Sequence, residues 1–191
     1  MLKGVRCETA KCCMERQHRS NPPGMHAWRR GKATAYAVRL REKQKVKRYY
    51  GVLERQFKRY FREAEALRQN TGVALLCLME RRLDNTVYKA GLAPSRRTAR
   101  QLIVHGHIYV NGQRIDRPGY RVQQGDKITV KESDRSRKLV RRFLEGDGVR
   151  TVQPWLQVVP EGPEVVVVAL PTRDDVQIPV EEQLIVELCS R

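Results

Sequence analysis

The chain has no stretch apolar enough to span or anchor in a bilayer, since its longest apolar run, Val165 to Leu170, is only strand-sized. Its opening, MLKGVRCETAKCC, has no apolar core and does not read as a secretory signal. Cysteine is scarce, odd in number at 5, and clustered at one end, which excludes a disulfide framework and fits the reducing cytoplasm. Catalytic signatures are also missing: no G-x-G-x-x-G, P-loop, H-E-x-x-H or G-x-S-x-G occurs, so the chain reads as a non-enzyme. No internal repeat is present. The sharpest deficit is of negative charge. Residues 1–142 carry 35 Lys+Arg against 12 Asp+Glu, whereas residues 143–191 carry 3 against 9, for a net charge of +17.

That split is not an evenly decorated solvated surface, and it points to a polyanionic partner contacted by the first three quarters of the chain. Nucleic acid is the first candidate and no membrane partner is expected. The 191 residues suffice for one large or two small domains with a real core. Residues 1–33, including NPPGMHAWRRGK, lack periodicity and read as an extended arm. Thr34 is placed to cap a helix that runs to Tyr50 and closes at Gly51. This helix carries Arg39, Arg41, Lys43, Lys45, Lys47 and Arg48 against one acid, Glu42, over a thin apolar stripe of Ala35, Val38, Val46 and Tyr49. The next, Leu53 to about Arg68, has Leu53, Phe57, Tyr60, Phe61 and Ala64 at i+3/i+4 spacing, leaving Arg55, Lys58, Arg59 and Arg62 outside.

A break at Asn70-Thr71-Gly72 precedes VALLCLMERR, a buried-looking helix in which Cys77 is a small core residue. A short helix from Leu83 to Ala90 stops at Gly91. Ser95 then caps a helix over Arg96–His105, with Gly106 beyond its end. From there the pattern turns to strands. HIYV and QRI flank Asn111-Gly112, a strong two-residue hairpin signal, and DKITV follows a Gly125-Asp126 turn. Residues 135–145 look helical, and WLQVV and EVVVVALP are further strands. The acidic tail VEEQLIVELCS fits a helix face through Leu184, Ile185 and Leu188, although LIVEL would also suit a strand.

The densest signal is SRRTARQLIVHGHIYVNG, residues 95–112. Arg96, Arg97 and Arg100 stand at i, i+1 and i+4 and are expected to project together, opposite Ala99, Leu102 and Ile103. Guanidiniums so close repel one another unless phosphates or acids lie between them, and no acid occurs from Ser95 to His105. The helix N-terminus adds orphan N–H groups and partial positive charge. In the following strand Ile108 and Val110 face the core while His107 and Tyr109 face away. His105 and His107 have no Cys or acid at ligand spacing, so they read as capping, packing or phosphate-contacting residues rather than metal ligands.

RRLDNTVYKAGLAPSRRTARQLIVHGHIYVNGQRI resembles the alpha-L RNA-binding motif as carried by the fourth small-subunit ribosomal protein of bacteria and organelles. PPGMH, YAVRLREKQKVKRYYGVLERQF, NTGVALLCLMERRLDN and EEQLIVELCSR follow that family in order across nearly the whole chain. The resemblance implies a structural component of the small ribosomal subunit. It implies a primary binder of small-subunit ribosomal RNA that nucleates assembly of the subunit body at a multi-helix junction, beside neighbouring ribosomal proteins. It also implies that Arg29, Arg30 and Lys32 lie near the channel through which messenger RNA enters, where they assist strand separation and influence decoding accuracy.

Two rivals share the motif. A pseudouridine synthase would use an Asp in an Arg-Leu-Asp context, but Asp84 is followed by Asn-Thr-Val-Tyr, and no room remains for a catalytic domain. A stand-alone RNA chaperone would need neither the LREKQKVKRYYG helix nor the PPGMH arm. Cys7 and Cys12, with Cys13 adjacent, have the spacing of half a zinc knuckle, and Cys13 and His26 are the available substitutes. Structural zinc takes four ligands, and the upstream C-x2-C pair of many relatives is absent from this sequence, so neither metal nor cofactor is expected.

The expected fold is α+β: an extended arm over 1–33, and a helical domain over 34–82 completed by 173–191. That domain packs on a second one, 83–172, which holds the alpha-L motif and an antiparallel sheet. The expected RNA ligands are Arg39, Arg41, Lys43, Lys45, Lys47, Arg48, Arg55, Lys58, Arg59, Arg62, Arg82, Ser95, Arg96, Arg97, Arg100, His105 and His107, with Arg29, Arg30 and Lys32 towards messenger RNA. The acidic C-terminal quarter is expected to point elsewhere, towards solvent or a basic protein neighbour.

Overall fold

A computed structural model describes residues 31–144, 153–159 and 163–190, together with Cys7, Thr9, Ala10, Cys12 and Met25. Most of the expected arm, with Arg29, Arg30, Cys13 and His26, lies outside the described residues. The order is α1 (Ala35–Tyr50), α2 (Glu54–Glu65), α3 (Thr71–Glu80), α4 (Leu83–Lys89), α5 (Arg96–Val104), β1 (Ile108–Val110), β2 (Gln113–Arg114), β3 (Lys127–Val130), α6 (Asp134–Leu144), β4 (Leu156–Val159), β5 (Glu164–Val167) and α7 (Glu182–Cys189). The fold is α+β, with one antiparallel sheet ordered β2-β1-β3-β5-β4.

Local chemistry sets the helix ends. The Thr34 hydroxyl accepts from the Ala37 amide at 3.2 Å, and Gly51 closes α1 at φ 66°, a left-handed conformation suited to glycine. The acidic tail forms helix α7. Leu53 stands just outside α2 and is 77% exposed, so it takes no part in the buried face that Phe57, Tyr60, Phe61 and Ala64 form. On α1 the deeply buried residues are Val46 and Tyr50, and Val38 is exposed.

The expected break at residues 70–72 is a helix start. The Asn70 side chain accepts from the Gly72 amide at 3.0 Å, and α3 begins at Thr71. Gly72 belongs inside the helix because a Cβ there would come within 2.7 Å of the Glu182 Cβ. The missing side chain lets α7 lie directly on α3.

Two apolar clusters form. One gathers Val46, Phe57, Phe61, Leu76, Met79 and, from far along the chain, Ile178 and Ile185. The other gathers Leu83, Leu92, Ile103, Ile108, Ile128 and Val165. Each such side chain, fully buried, contributes about 1.5–3 kcal/mol relative to exposure. The sheet register pairs Ile108 with Val130, Val110 with Ile128 and Ile128 with Val165, so one face is continuously apolar. Asn111 (φ 51°) and Gly112 (φ 78°) form the hairpin turn, both left-handed as a type I′ turn requires.

Candidate nucleic-acid interface

Ser95 caps α5: its hydroxyl accepts from the Thr98 amide at 3.2 Å, and its extended backbone (φ −155°) leads into Arg96. From this start the arginines part company. Arg97 and Arg100 are exposed, whereas Arg96 is only 9% exposed. The expectation that all three project together is therefore corrected. Arg96 stands three and seven residues before Ala99 and Ile103, so it begins the buried stripe rather than the open face.

Arg96 is held by a polar and aromatic cage. Its guanidinium carbon lies 3.9 Å from the ring centre of Tyr49 and 4.4 Å from that of Tyr88, and its Nε donates to Asn85 Oδ1 at 2.7 Å. Asn85 in turn donates to the Glu80 carboxylate at 2.5 Å, and Tyr50 donates to the same carboxylate at 2.6 Å. Burial, reinforced by Glu80, pushes the Tyr50 hydroxyl well above its ordinary value and keeps it a donor. Arg96 Nη2 is buried without a hydrogen-bond partner among the described residues.

Around this cage opens a recess of about 310 Å³, lined by Arg48, Tyr49, Leu53, Arg96, Arg97 and Arg100, with Asp84 also on its wall. Asp84 does not neutralise it. Arg82 grips that carboxylate with two hydrogen bonds, at 3.0 and 2.6 Å, and donates to Tyr60 at 3.2 Å. Burial pushes the Asp84 carboxyl up, and the Arg82 guanidinium opposes this by favouring the ionised form. Arg82 itself is 0% exposed. It is therefore corrected from an RNA ligand to a buried strut joining α2 to the start of α4.

The remaining cations divide by partner. Lys43 and Lys47 both bond Glu54, at 2.7 and 2.6 Å, and these bonds hold its carboxyl below the ordinary value. Arg39 bonds Glu187 of α7 at 2.7 Å, so part of the acidic C-terminal quarter faces the chain's own basic helix rather than pointing elsewhere. Lys45 bonds Glu42 at 2.6 Å and the carbonyl of Pro179 at 3.2 Å. Arg41 and Arg48 are exposed and have no carboxylate partner among the described residues. With Lys45, Tyr49 and Tyr88 they line a groove of about 890 Å³.

On α2, Arg55, Lys58, Arg59 and Arg62 are exposed, and Arg59 spans 3.2 Å to Glu63. Arg59 and Arg100 share a cleft of about 750 Å³ with Arg117 and Arg121. The sequence reading missed those last two; the signal was two arginines against a single acid in DRPGYR. Arg121 also meets Glu63 and lies 5.5 Å from the Tyr60 ring centre. His105 is exposed. His107 is half-buried, with Nδ1 2.9 Å from Ser136 Oγ. Burial, then His105 and Lys131, push His107 below the ordinary histidine value, which favours the neutral ring. Lys32 is exposed, just ahead of Thr34. Among the described residues no group of His, Cys, Asp and Glu could hold a metal ion, and no helix is long and apolar enough to cross a membrane.

Residues 1–80 match the ribosomal protein S4/S9 N-terminal domain family, and residues 81–128 match the S4 domain family. The chain is 54% identical over 190 residues to small ribosomal subunit protein uS4 of Halothermothrix orenii, covering 100% of this chain and 90% of that protein. It is 51% identical over 191 residues to uS4 of Thermus thermophilus, again covering 100% and 90%. Against uS4A of Symbiobacterium thermophilum the identity is 50% over 190 residues, with the same coverage.

Proposed function

The chain belongs to the small ribosomal subunit protein uS4 family, a non-enzymatic structural component of that subunit, and from this premise we propose that it is a primary ribosomal RNA-binding protein. In this reading it nucleates assembly of the subunit body at a multi-helix junction, with neighbouring ribosomal proteins as its other partners. The observation that carries the reading is the recess shared by Arg48, Arg97 and Arg100, from two helices far apart in sequence, whose one carboxylate is already taken by Arg82. Phosphate contacts position a protein on RNA, and folded RNA offers phosphates and 2′-hydroxyls more readily than base edges. Arg41, Arg55, Lys58, Arg59 and Arg62 extend that surface, and Ser95 orients α5 towards it. His105 and His107 flank it. Arg39, Lys43, Lys45 and Lys47 reach RNA only by sharing or exchanging their carboxylates.

The two apolar clusters support a division into a helical domain, 34–82 with 173–191, and an alpha-L domain, 83–172. The buried contacts of Arg82 and Arg96 join them. Arg29, Arg30 and Lys32 are assigned to messenger RNA near its point of entrance, with an influence on decoding accuracy. Hydroxyl-radical footprinting of the protein on naked small-subunit ribosomal RNA tests the main reading. Protection confined to one multi-helix junction is the expected result, and scattered or absent protection overturns it.

A further inference from the structure

We propose that α6 is a second RNA-backbone-binding surface, gripping an RNA helix other than the one seated at α5; this rests on the ribosomal RNA-binding reading above. The helix lies beyond residue 128, outside both matched family segments. Its sequence, DRSRKLVRRFL, puts Arg135, Arg137, Lys138, Arg141 and Arg142 in 11 residues, all exposed. Ser136 and Val140 are buried on the opposite side, and Leu139 and Phe143 pack against the second apolar cluster. Helical spacing therefore gathers the cations on the solvent-facing side.

Among the described residues these charges are sparsely compensated, since Asp134 stands three and four residues before Arg137 and Lys138 yet forms an ion pair with neither. Arg137 comes only within 3.9 Å of Glu132, beyond hydrogen-bond length, and the other four have no ion pair among the described residues. Lys138 neighbours Arg135, Arg141 and Arg142 at i±3 or i+4, and Arg137 neighbours Arg141 at i+4. Each like-charge pair costs a few tenths of a kcal/mol on a helix surface. A polyanion along the face turns that repulsion into attraction. An acidic protein fits less well: apart from Leu144 the face offers no apolar or aromatic anchor around which a protein interface would form. Four of the five cations are arginine, the side chain suited to bidentate phosphate contacts.

The surface is separate from that of α5, yet tied to it. Arg137 and Arg141 line their own recess of about 210 Å³ with Thr129, Glu132 and Glu164, sharing no residue with the recess of Arg97 and Arg100. The bond between His107 Nδ1 and Ser136 Oγ anchors the buried side of α6 to the residue just ahead of β1, on the short link from α5. One small domain thereby presents two cationic helices in a fixed relation, as recognition of RNA by shape requires.

The test uses the full chain with naked small-subunit ribosomal RNA. In the triple variant Arg135→Gln, Lys138→Gln, Arg142→Gln, the slope of log affinity against log salt should become shallower by about 0.7–0.9 for every phosphate no longer bound, roughly 2 in total. Footprint protection should disappear at nucleotides distinct from those exposed in Arg97→Gln, Arg100→Gln. In the wild-type chain, RNA should shield Lys138 from a water-soluble acylating ester, a readout needing no variant. An unchanged slope with Lys138 still reactive overturns the proposal, whether or not an acidic protein shields it instead. Exposure of the same nucleotides in both variants overturns it too. A wild-type chain that does not prefer this RNA sinks the parent reading instead.

Discussion

The guanidinium of Arg96 stacks 3.9 Å above the ring of Tyr49, bringing the first turn of α5 against the last turn of α1. Tyr88 lies on it at 4.4 Å and Asn85 accepts from its Nε at 2.7 Å, so one cation ties three helices. Arg96 thus fixes where Arg97 and Arg100 point. Stacking on aromatic rings contributes about 0.5–2 kcal/mol and a charge-assisted hydrogen bond about 1.5–3. Arg96→Ala should therefore lower unfolding free energy by roughly 2–4 kcal/mol in urea titrations. Arg96→Lys should recover little of it, because an ammonium cannot lie flat between rings. Arg97→Ala should change stability by less than about 0.5 kcal/mol, as expected of an exposed residue.

The Arg82–Asp84 pair makes a different demand. Both side chains are nearly sealed from solvent, at 1% and 4% exposure. Removing one partner leaves a buried charge uncompensated, at a cost of about 3–5 kcal/mol. Asp84→Ala should approach that loss in chemical denaturation. Arg82→Met with Asp84→Leu should lose less than the single change, because no charge is then stranded. A double variant as unstable as Asp84→Ala alone would show that the bond to Tyr60 dominates.

Elements with a strong local signal were legible in the sequence: Thr34 and Gly51 bound α1, Ser95 caps α5, and Asn111-Gly112 makes the hairpin. Charge placement located the basic face in outline. What the sequence concealed depends on tertiary neighbours. Arg96 and Arg82 look like surface cations until Tyr49, Tyr88 and Asp84 arrive from other elements or turn inward. The spacing of Arg96 to Ala99 and Ile103 was a usable hint that the count of arginines outweighed. Gly72 reads as a breaker because the requirement it meets, room for Glu182, lies over a hundred residues away. The cations of α6 were in plain view, but composition alone does not separate a binding face from a solvated one.

Gly72→Ala tests the close approach of α3 and α7. Alanine is the better helix former by up to about 1 kcal/mol, so propensity alone predicts a gain. The approach within 2.7 Å of the Glu182 Cβ reverses the sign, since overpacking costs about 1–3 kcal/mol. Net destabilisation is expected in thermal unfolding. Glu182→Ala should not rescue it, because the Cβ remains, whereas Glu182→Gly should relieve part of it.

His107 gives the fold a pH dependence of definite sign. Its value in the folded chain lies below the ordinary 6.5, through burial and the nearby His105 and Lys131. A depressed folded value means the unfolded chain binds the proton more readily. The contribution is therefore fully present above about pH 6.5 and is lost as pH falls through the folded value. Urea midpoints measured between pH 7.5 and 5 should fall with acidity, and His107→Gln should flatten part of that decline. An identical decline in the variant would assign the dependence to other groups.

The recess between α1 and α5 can be tested apart from stability because its exposed arginines form no ion pair among the described residues. Asp84 feels the charge of Arg100 but is held by two hydrogen bonds from Arg82, so replacing Arg97 and Arg100 with Gln removes charge without stranding an acid. Each phosphate released by the change should make the slope of log affinity against log salt shallower by about 0.7–0.9, nearly 2 for the pair. Lys43→Gln with Lys47→Gln removes equal charge from a site where Glu54 already compensates it, at 2.7 and 2.6 Å. If RNA meets the recess rather than the whole basic field, the first pair should shift the slope well beyond the second. Equal shifts would mean that affinity follows net charge alone, with no role for the geometry that Arg96 imposes.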